Sequence, residues 1–95
     1  MEKLYMVGAV TGVEDWEQRF SEAEWEYFCY LPNPALFRTP KEYPKGLTQK
    51  EYMVLSCESV FWADKILVTK GWENSKGTKA EIALAESFGL PVEYL

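Results

Sequence analysis

The chain has 95 residues, 47% of them apolar, with ten basic against fifteen acidic residues and a formal net charge of −5. That length holds one small domain, residues 1–95. The acidic balance argues against a polymeric nucleic-acid partner, whose binding needs an excess of Lys and Arg, but leaves room for one small anionic ligand at a helix N-terminus. Histidine is absent. This excludes Ser-His-Asp triads, His-ligated metal sites and imidazole acid/base chemistry, so any catalysis falls to Asp, Glu, Tyr, Cys, Lys or backbone groups.

Four Trp, six Tyr and five Phe are far too many aromatics for a disordered chain. The apolar stretches fall well short of the roughly 20 residues that span a bilayer. The N-terminal segment has no apolar run like that of a secretory leader. A cytoplasmic protein without a membrane partner is the expectation. Cys29 and Cys57 then read as free thiols. No metal or cofactor motif is present, and none is expected.

Residues 3–7 form a short apolar run ended by Gly8, which predicts a strand, and Thr11-Gly12 marks the loop after it. From Glu14 the period becomes helical: Trp16, Phe20, Ala23 and Tyr27 share one face. Trp25 falls opposite that stripe. Residues 29–31 predict a second strand, closed by Pro32-Asn33-Pro34. Residues 35–47 carry prolines and no period, which predicts a loop. Thr48 to Glu51 fits a capping box opening a helix that runs to about Ala63. Residues 66–68 predict a buried strand, and 71–77 a polar, glycine-flanked turn. A third helix is expected from Lys76 to Phe88, with Gly89 as its left-handed stop and Pro91 beyond. Residues 92–95 predict a last strand.

Strands alternating with helices imply an α/β fold with a parallel sheet and right-handed crossovers. Ligands of such sheets bind at the carboxyl ends of the strands. Those ends carry Gly8 to Gly12, Asn33 and Gly71 to Gly77.

The last helix holds the most informative residue. With Glu81 at zero on a helical wheel, Phe88 lies about 20° away, Ala85 and Gly77 about 40°, and Leu84 and Thr78 about 60°. Glu81 therefore lies on the apolar stripe, where a carboxylate is rarely buried alone and where desolvation raises its pKa. It reads either as a catalytic or ligand-clamping group or as a structural glutamate bonded to a tyrosine or a loop N–H. Asn74 or Ser75 can cap this helix, Gly77 lets a ligand approach the backbone, and the free N–H groups of residues 76–78 favour an anion such as phosphate. An ordinary helix cap is the simpler account of the same residues.

The segments Gly8-Ala9-Val10-Thr11-Gly12, Asn33-Pro34-Ala35, Tyr52-Met53, Ala63-Asp64 and Gly71-Trp72-Glu73-Asn74-Ser75-Lys76-Gly77, followed by Ala80-Glu81-Ile82-Ala83-Leu84-Ala85, resemble one lineage over residues 3–94. It is a small, often phage-encoded branch of the nucleoside 2-deoxyribosyltransferase-like superfamily, which also includes 2′-deoxynucleoside 5′-phosphate N-hydrolases. The resemblance implies a flavodoxin-like three-layer sandwich with a four-stranded parallel sheet in order 2-1-3-4 and three helices. It implies cleavage or transfer at the N-glycosidic bond of a 2′-deoxynucleoside or its 5′-monophosphate. Glu81 would act at the anomeric carbon, and Tyr5 would orient it. Gly8, Ser75 and Gly77 would receive the ribose or its phosphate; Thr11, Gly12, Asn33 and Asn74, in the loops at the carboxyl ends of the strands, are further candidates for binding the substrate. Trp72 can stack a nucleobase or simply pack beside its turn.

One position departs from the family pattern. Ser56 stands where the superfamily commonly has an aspartate, eight residues before the aspartate matched by Asp64. On the wheel Ser56 faces inward with Tyr52, Val60 and Ala63, but a serine cannot act as the carboxylic acid that protonates a leaving base. Asp64 reads as structural.

Three functions remain open: an N-glycosidase or transferase, a nucleotide-binding or sensing module built on the same pocket, and a protein-interaction domain using Trp25 and Phe61. A homodimer through the middle helix is expected. Tyr52, Met53, Val60 and Ala63 occupy one of its faces and Val54 and Phe61 another, more apolar surface than a domain of this size covers alone.

Overall fold

A computed structural model describes residues 1–10, 12–29, 31 and 34–95. The strands are β1 (Glu2–Val7), β2 (Ala35–Arg38), β3 (Lys65–Val68) and β4 (Val92–Tyr94). The helices are α1 (Trp16–Cys29), α2 (Gln49–Trp62) and α3 (Lys76–Ser87). All three strand pairings are parallel, and the sheet order is β2-β1-β3-β4. This is the flavodoxin-like α/β sandwich that the strand–helix alternation and the resemblance imply.

The two central strands are continuous apolar runs because both of their faces are covered. Leu4, Tyr5, Met6 and Val7 are all fully buried, as are Ile66, Leu67 and Val68. Their side chains alternate between the layers. Tyr5, Val7, Ile66 and Val68 meet Val60, Ala63, Ile82 and Ala85 of the α2–α3 side. Leu4, Met6 and Leu67 meet Phe20, with Trp16, Ala23 and Tyr27 of α1 packed around them. The expected α1 stripe is therefore the face that packs, and Trp25, opposite it, is exposed.

The second strand is not at 29–31. Cys29 is the last residue of α1, and β2 lies at Ala35–Arg38, inside the segment expected to be a loop. The physical reason is its place in the sheet. β2 is an edge strand, pairing with β1 alone through Glu2↔Ala35 to Tyr5↔Arg38. Four residues suffice there, none is fully buried, and Pro34 just before the strand costs no ladder bond. Such a strand carries no clear apolar signal. The rest of that segment includes a 3₁₀ turn, Pro40–Glu42, capped by the Thr39 hydroxyl.

The helix ends follow their local chemistry. Thr48 and Glu51 form the reciprocal capping box at the start of α2. Ser75 caps α3, with its hydroxyl accepting from the Thr78 N–H at 3.2 Å. Gly89, at φ +71°, stops it in the left-handed region that favours glycine. Phe88 is the last helix's exception. It lies beyond Ser87, leaves the helical wheel and is 63% exposed, stacked edge-on against Phe61 of α2. Asp64 is structural as expected: its carboxylate accepts from the Lys3 N–H at 2.9 Å and its own N–H donates to the Lys3 carbonyl at 2.7 Å, extending the β1–β3 ladder. Both cysteines are free thiols. Among the described residues, no helix is long and apolar enough to cross a membrane.

Candidate functional site

The chain leaves β1 toward β2 on one side and returns past it to β3 on the other. The strand order therefore reverses between the carboxyl ends of β1 and β3, the place where open α/β sheets bind ligands. A cleft of about 450 Å³ lies there, lined by Gly8 after β1, Gln49 and Tyr52 of α2, and Asn74 to Thr78 with Glu81 at the start of α3.

Glu81 is 2% exposed, and its Oε2 has no hydrogen-bond partner. Burial pushes its carboxyl up to about 7; the hydroxyls of Tyr5 and Ser56 lie near enough to pull partly in the other direction. Among the described residues that line the cleft the one cation, Lys76, is exposed. A buried carboxylate with an unmatched oxygen is costly to ionise. At neutral pH it is therefore divided between its acid and its base forms.

Behind Glu81 lies a cluster of hydroxyls. The Tyr5 hydroxyl donates to Ser56 Oγ at 3.4 Å and accepts from the Tyr43 hydroxyl at 3.0 Å. Tyr43 also lies 2.7 Å from Ser59 Oγ and 3.2 Å from the Leu55 carbonyl. Tyr5, Ser56 and Ser59 are buried. Burial, with Glu81's charge as the next cause, raises the Tyr5 and Tyr52 phenols well above their ordinary range. These groups are held neutral, as hydrogen-bonding partners rather than ionised bases. The register explains Tyr5: it faces the α2–α3 layer because Val7 and Ile66, on the same face, do.

The glycines of the site differ in their reasons. A Cβ on Gly8 would overlap the Thr69 hydroxyl, so this position is fixed by the close approach of β1 and β3. A Cβ on Gly77 would meet only Met53 Sδ at 3.6 Å and Gln49 Nε2 at 3.9 Å, ordinary contacts. Packing alone does not demand glycine in this helical turn. The Thr78 and Lys79 N–H groups are taken by the Ser75 side chain and carbonyl. The amides of Lys76 and Gly77 are left outside the helix's own bonding.

The structure brings Tyr5, Gly8, Ser56, Asn74, Ser75, Gly77 and Glu81 to one place. It does not bring Gly12 or Trp72 to the carboxylate. Gly12 lines a separate cavity of about 720 Å³ on the α1 side, which Asn74 also borders. Trp72 packs against the core and against Tyr94, with ring centroids 5.3 Å apart. Thr11 and Asn33 lie outside the described residues. The sequence reading passed over Tyr43, Ser59 and Gln49. Ser59 follows Tyr52 and Ser56 at helical spacing and could have been found on the same wheel; Tyr43 sits in an aperiodic loop and carries no such signal.

The α1-side cavity is the larger of the two, but the charged groups that line it, Arg19, Glu22, Glu26 and Lys70, are solvated. The smaller cleft is the better candidate because it holds the buried, unmatched carboxylate. Comparison with curated proteins and with solved structures finds no match. The sequence pattern of one family matches residues 2–94, essentially the whole chain, and the protein belongs to that family, Domain of unknown function (DUF4406).

Proposed function

We propose that the protein cleaves or transfers the N-glycosidic bond of a 2′-deoxynucleoside or its 5′-monophosphate, with Glu81 acting at the anomeric carbon. The observation that carries this reading is the buried Glu81 carboxylate with an unpartnered oxygen, at the switch point of the sheet. The resemblance to the nucleoside 2-deoxyribosyltransferase-like superfamily assigns the same residue to the same chemistry. A carboxylate of this kind attacks or stabilises an oxocarbenium-like carbon, as in glycosidases. The Tyr5 hydroxyl orients it, itself held by Tyr43. The amides of Lys76 and Gly77 receive the 5′-phosphate, favoured by the positive end of α3.

A second reading is favoured by one observation. Ser56 occupies the position of the usual acid, and among the described residues that line the cleft Glu81 is the sole carboxylate. A binding or sensing module would use the same pocket without turnover. One experiment separates the two: incubate the protein with each deoxynucleoside and deoxynucleotide, with and without a free acceptor base, and follow released or exchanged base. Turnover that Glu81→Gln abolishes supports the enzyme. Ligand binding without turnover supports the module.

The protein acts as a homodimer in this proposal, through α2. Val54 is 66% exposed, Phe61 56% and Phe88 63%, an apolar surface of the kind that marks interfaces. Phe61→Glu should then give monomers in sedimentation at micromolar concentration. A wild type already monomeric there would refute the pairing.

A further inference from the structure

The cleft supplies a nucleophile without an acid. Among the described residues, no second Asp or Glu lines it. The groups packed behind Glu81 are the hydroxyls of Tyr5, Tyr43, Ser56 and Ser59. Burial raises the Tyr5 and Tyr43 phenols, which makes them poorer acids still. Lys76 borders the cleft but is exposed and lies about 140° around α3 from Glu81, five residues along the helix. Glu81 cannot fill the gap, because a carboxyl that gives its proton to the leaving base is not free to attack the sugar in the same step.

An uncharged purine or pyrimidine leaves C1′ as an anion unless it is protonated. A base that already carries a positive charge leaves neutral and needs no proton. We infer that the substrate class of this cleft is a nucleoside or nucleotide whose base is cationic before it binds, a pyridinium or an N-alkylated purine glycoside. The inference rests on the glycosidic reading above and names its substrate. Two further features fit a cation. Among the described residues that line the cleft the one cation, Lys76, is exposed and turned away around α3, so the ligand would supply the counter-charge. The Tyr52 ring lines the same cleft, where a cation gains from the face of an aromatic ring.

The step balances without a further reactant. The C1′–N bond breaks, and its electron pair neutralises the ring nitrogen. A Glu81 oxygen bonds C1′. Water then attacks C1′, the ester C–O bond breaks to restore the carboxylate, and the spare proton passes to solvent. Hydrolysis therefore releases one proton per base.

The test compares charged and uncharged bases on the wild-type protein, against enzyme-free controls. The pairs are nicotinamide mononucleotide with its reduced, uncharged form, and 7-methylguanosine and 7-methyl-2′-deoxyguanosine with their unmethylated forms. The cationic member of at least one pair should be turned over at least about 100-fold faster, the lower end of what a missing general acid would have contributed. For nicotinamide mononucleotide, whose pyridinium keeps its charge across the range, kcat/KM should rise with pH through about 7 to a plateau, following ionisation of Glu81. The two types of pair distinguish a pyridinium from an alkylated purine. Equal turnover of charged and uncharged bases, or a falling limb at high pH for nicotinamide mononucleotide, would overturn the inference and leave the glycosidic reading standing. Turnover of uncharged bases alone would do the same. No turnover of any of them would overturn the inference too, and the glycosidic reading would then stand or fall on the wider base-release assay above.

Discussion

The two faces of the sheet are built to different ends. On the α1 face the buried core cluster is Leu4, Met6, Phe20 and Leu67, with Trp16 edge-on to Phe20 at 5.8 Å, and a buried polar residue, Thr69, lies at the end of β3 beside the α1-side cavity. On the α2–α3 face lie Tyr5 of β1 and, from the helices, Ser56, Ser59, Thr78 and Glu81, all buried. The first face stabilises and can be read as ordinary packing. The second accepts polar groups that packing would avoid, and concentrates them where the strand order reverses. The larger cavity lies on the first face and the smaller on the second. What marks the candidate site here is not volume but a buried group whose bonding is incomplete.

That contrast can be broken most directly from the apolar side. Phe20 is 1% exposed at the centre of the α1 layer. Phe20→Ala should cost about 3–5 kcal/mol, the range for removing a buried aromatic ring. Urea unfolding would measure it. The milder Phe20→Leu should keep the fold and leave ligand binding at the Glu81 cleft within about twofold, since Phe20 does not line that cleft. A large change in binding would mean that the two faces are not separable.

The polar face makes the opposite kind of prediction. Glu81 has a carboxyl raised from 4.5 to about 7 on folding. Between those values the native state holds a proton that the unfolded chain has released. Stability should therefore fall as pH rises from about 4.5 to 7, by about 3 kcal/mol from this group at 1.36 kcal/mol per unit. Glu81→Gln should flatten that slope. It should be close to wild type near pH 4.5 and more stable by about 1–3 kcal/mol at pH 8, because a neutral amide costs less to bury than a charge. Unfolding at the two pH values checks both statements. A wild type whose slope survives in Glu81→Gln would place the titrating group elsewhere.

The same contrast decides what was legible in the sequence. Glu81 was visible because a helix of regular period carries one charge on its apolar stripe, and the capping box of α2 was visible because Thr48 and Glu51 are three apart. β2 was not visible. An edge strand of four half-buried residues needs no continuous apolar run, and the prolines before and after it resemble loop punctuation. Phe88 was misplaced on the core stripe because the wheel was carried past the helix end, where the chain turns outward. Trp72 and Gly12 were grouped with the site by their neighbours in sequence. The chain turns between them and Glu81, and only the fold shows that Gly12 borders the α1-side cavity and that Trp72 packs against Tyr94.

Gly77 gives the smallest and sharpest test of the polar face. Packing tolerates a Cβ there, with Met53 Sδ at 3.6 Å. In a helix, alanine is favoured over glycine by up to about 1 kcal/mol. Gly77→Ala should therefore leave stability unchanged or raise it by a few tenths of a kcal/mol up to that limit. If the Lys76 and Gly77 amides hold a 5′-phosphate, a larger side chain at 77 stands between them and the ligand. Gly77→Val should then weaken binding of a deoxynucleotide at least about tenfold, some 1.4 kcal/mol, and that of the matching deoxynucleoside much less. Calorimetric titration of both ligands into the Glu81→Gln background, where turnover is stopped, reads the two affinities directly. Equal losses for the two would mean that the side chain obstructs the cleft as a whole, and that the phosphate is held somewhere other than the first turn of α3.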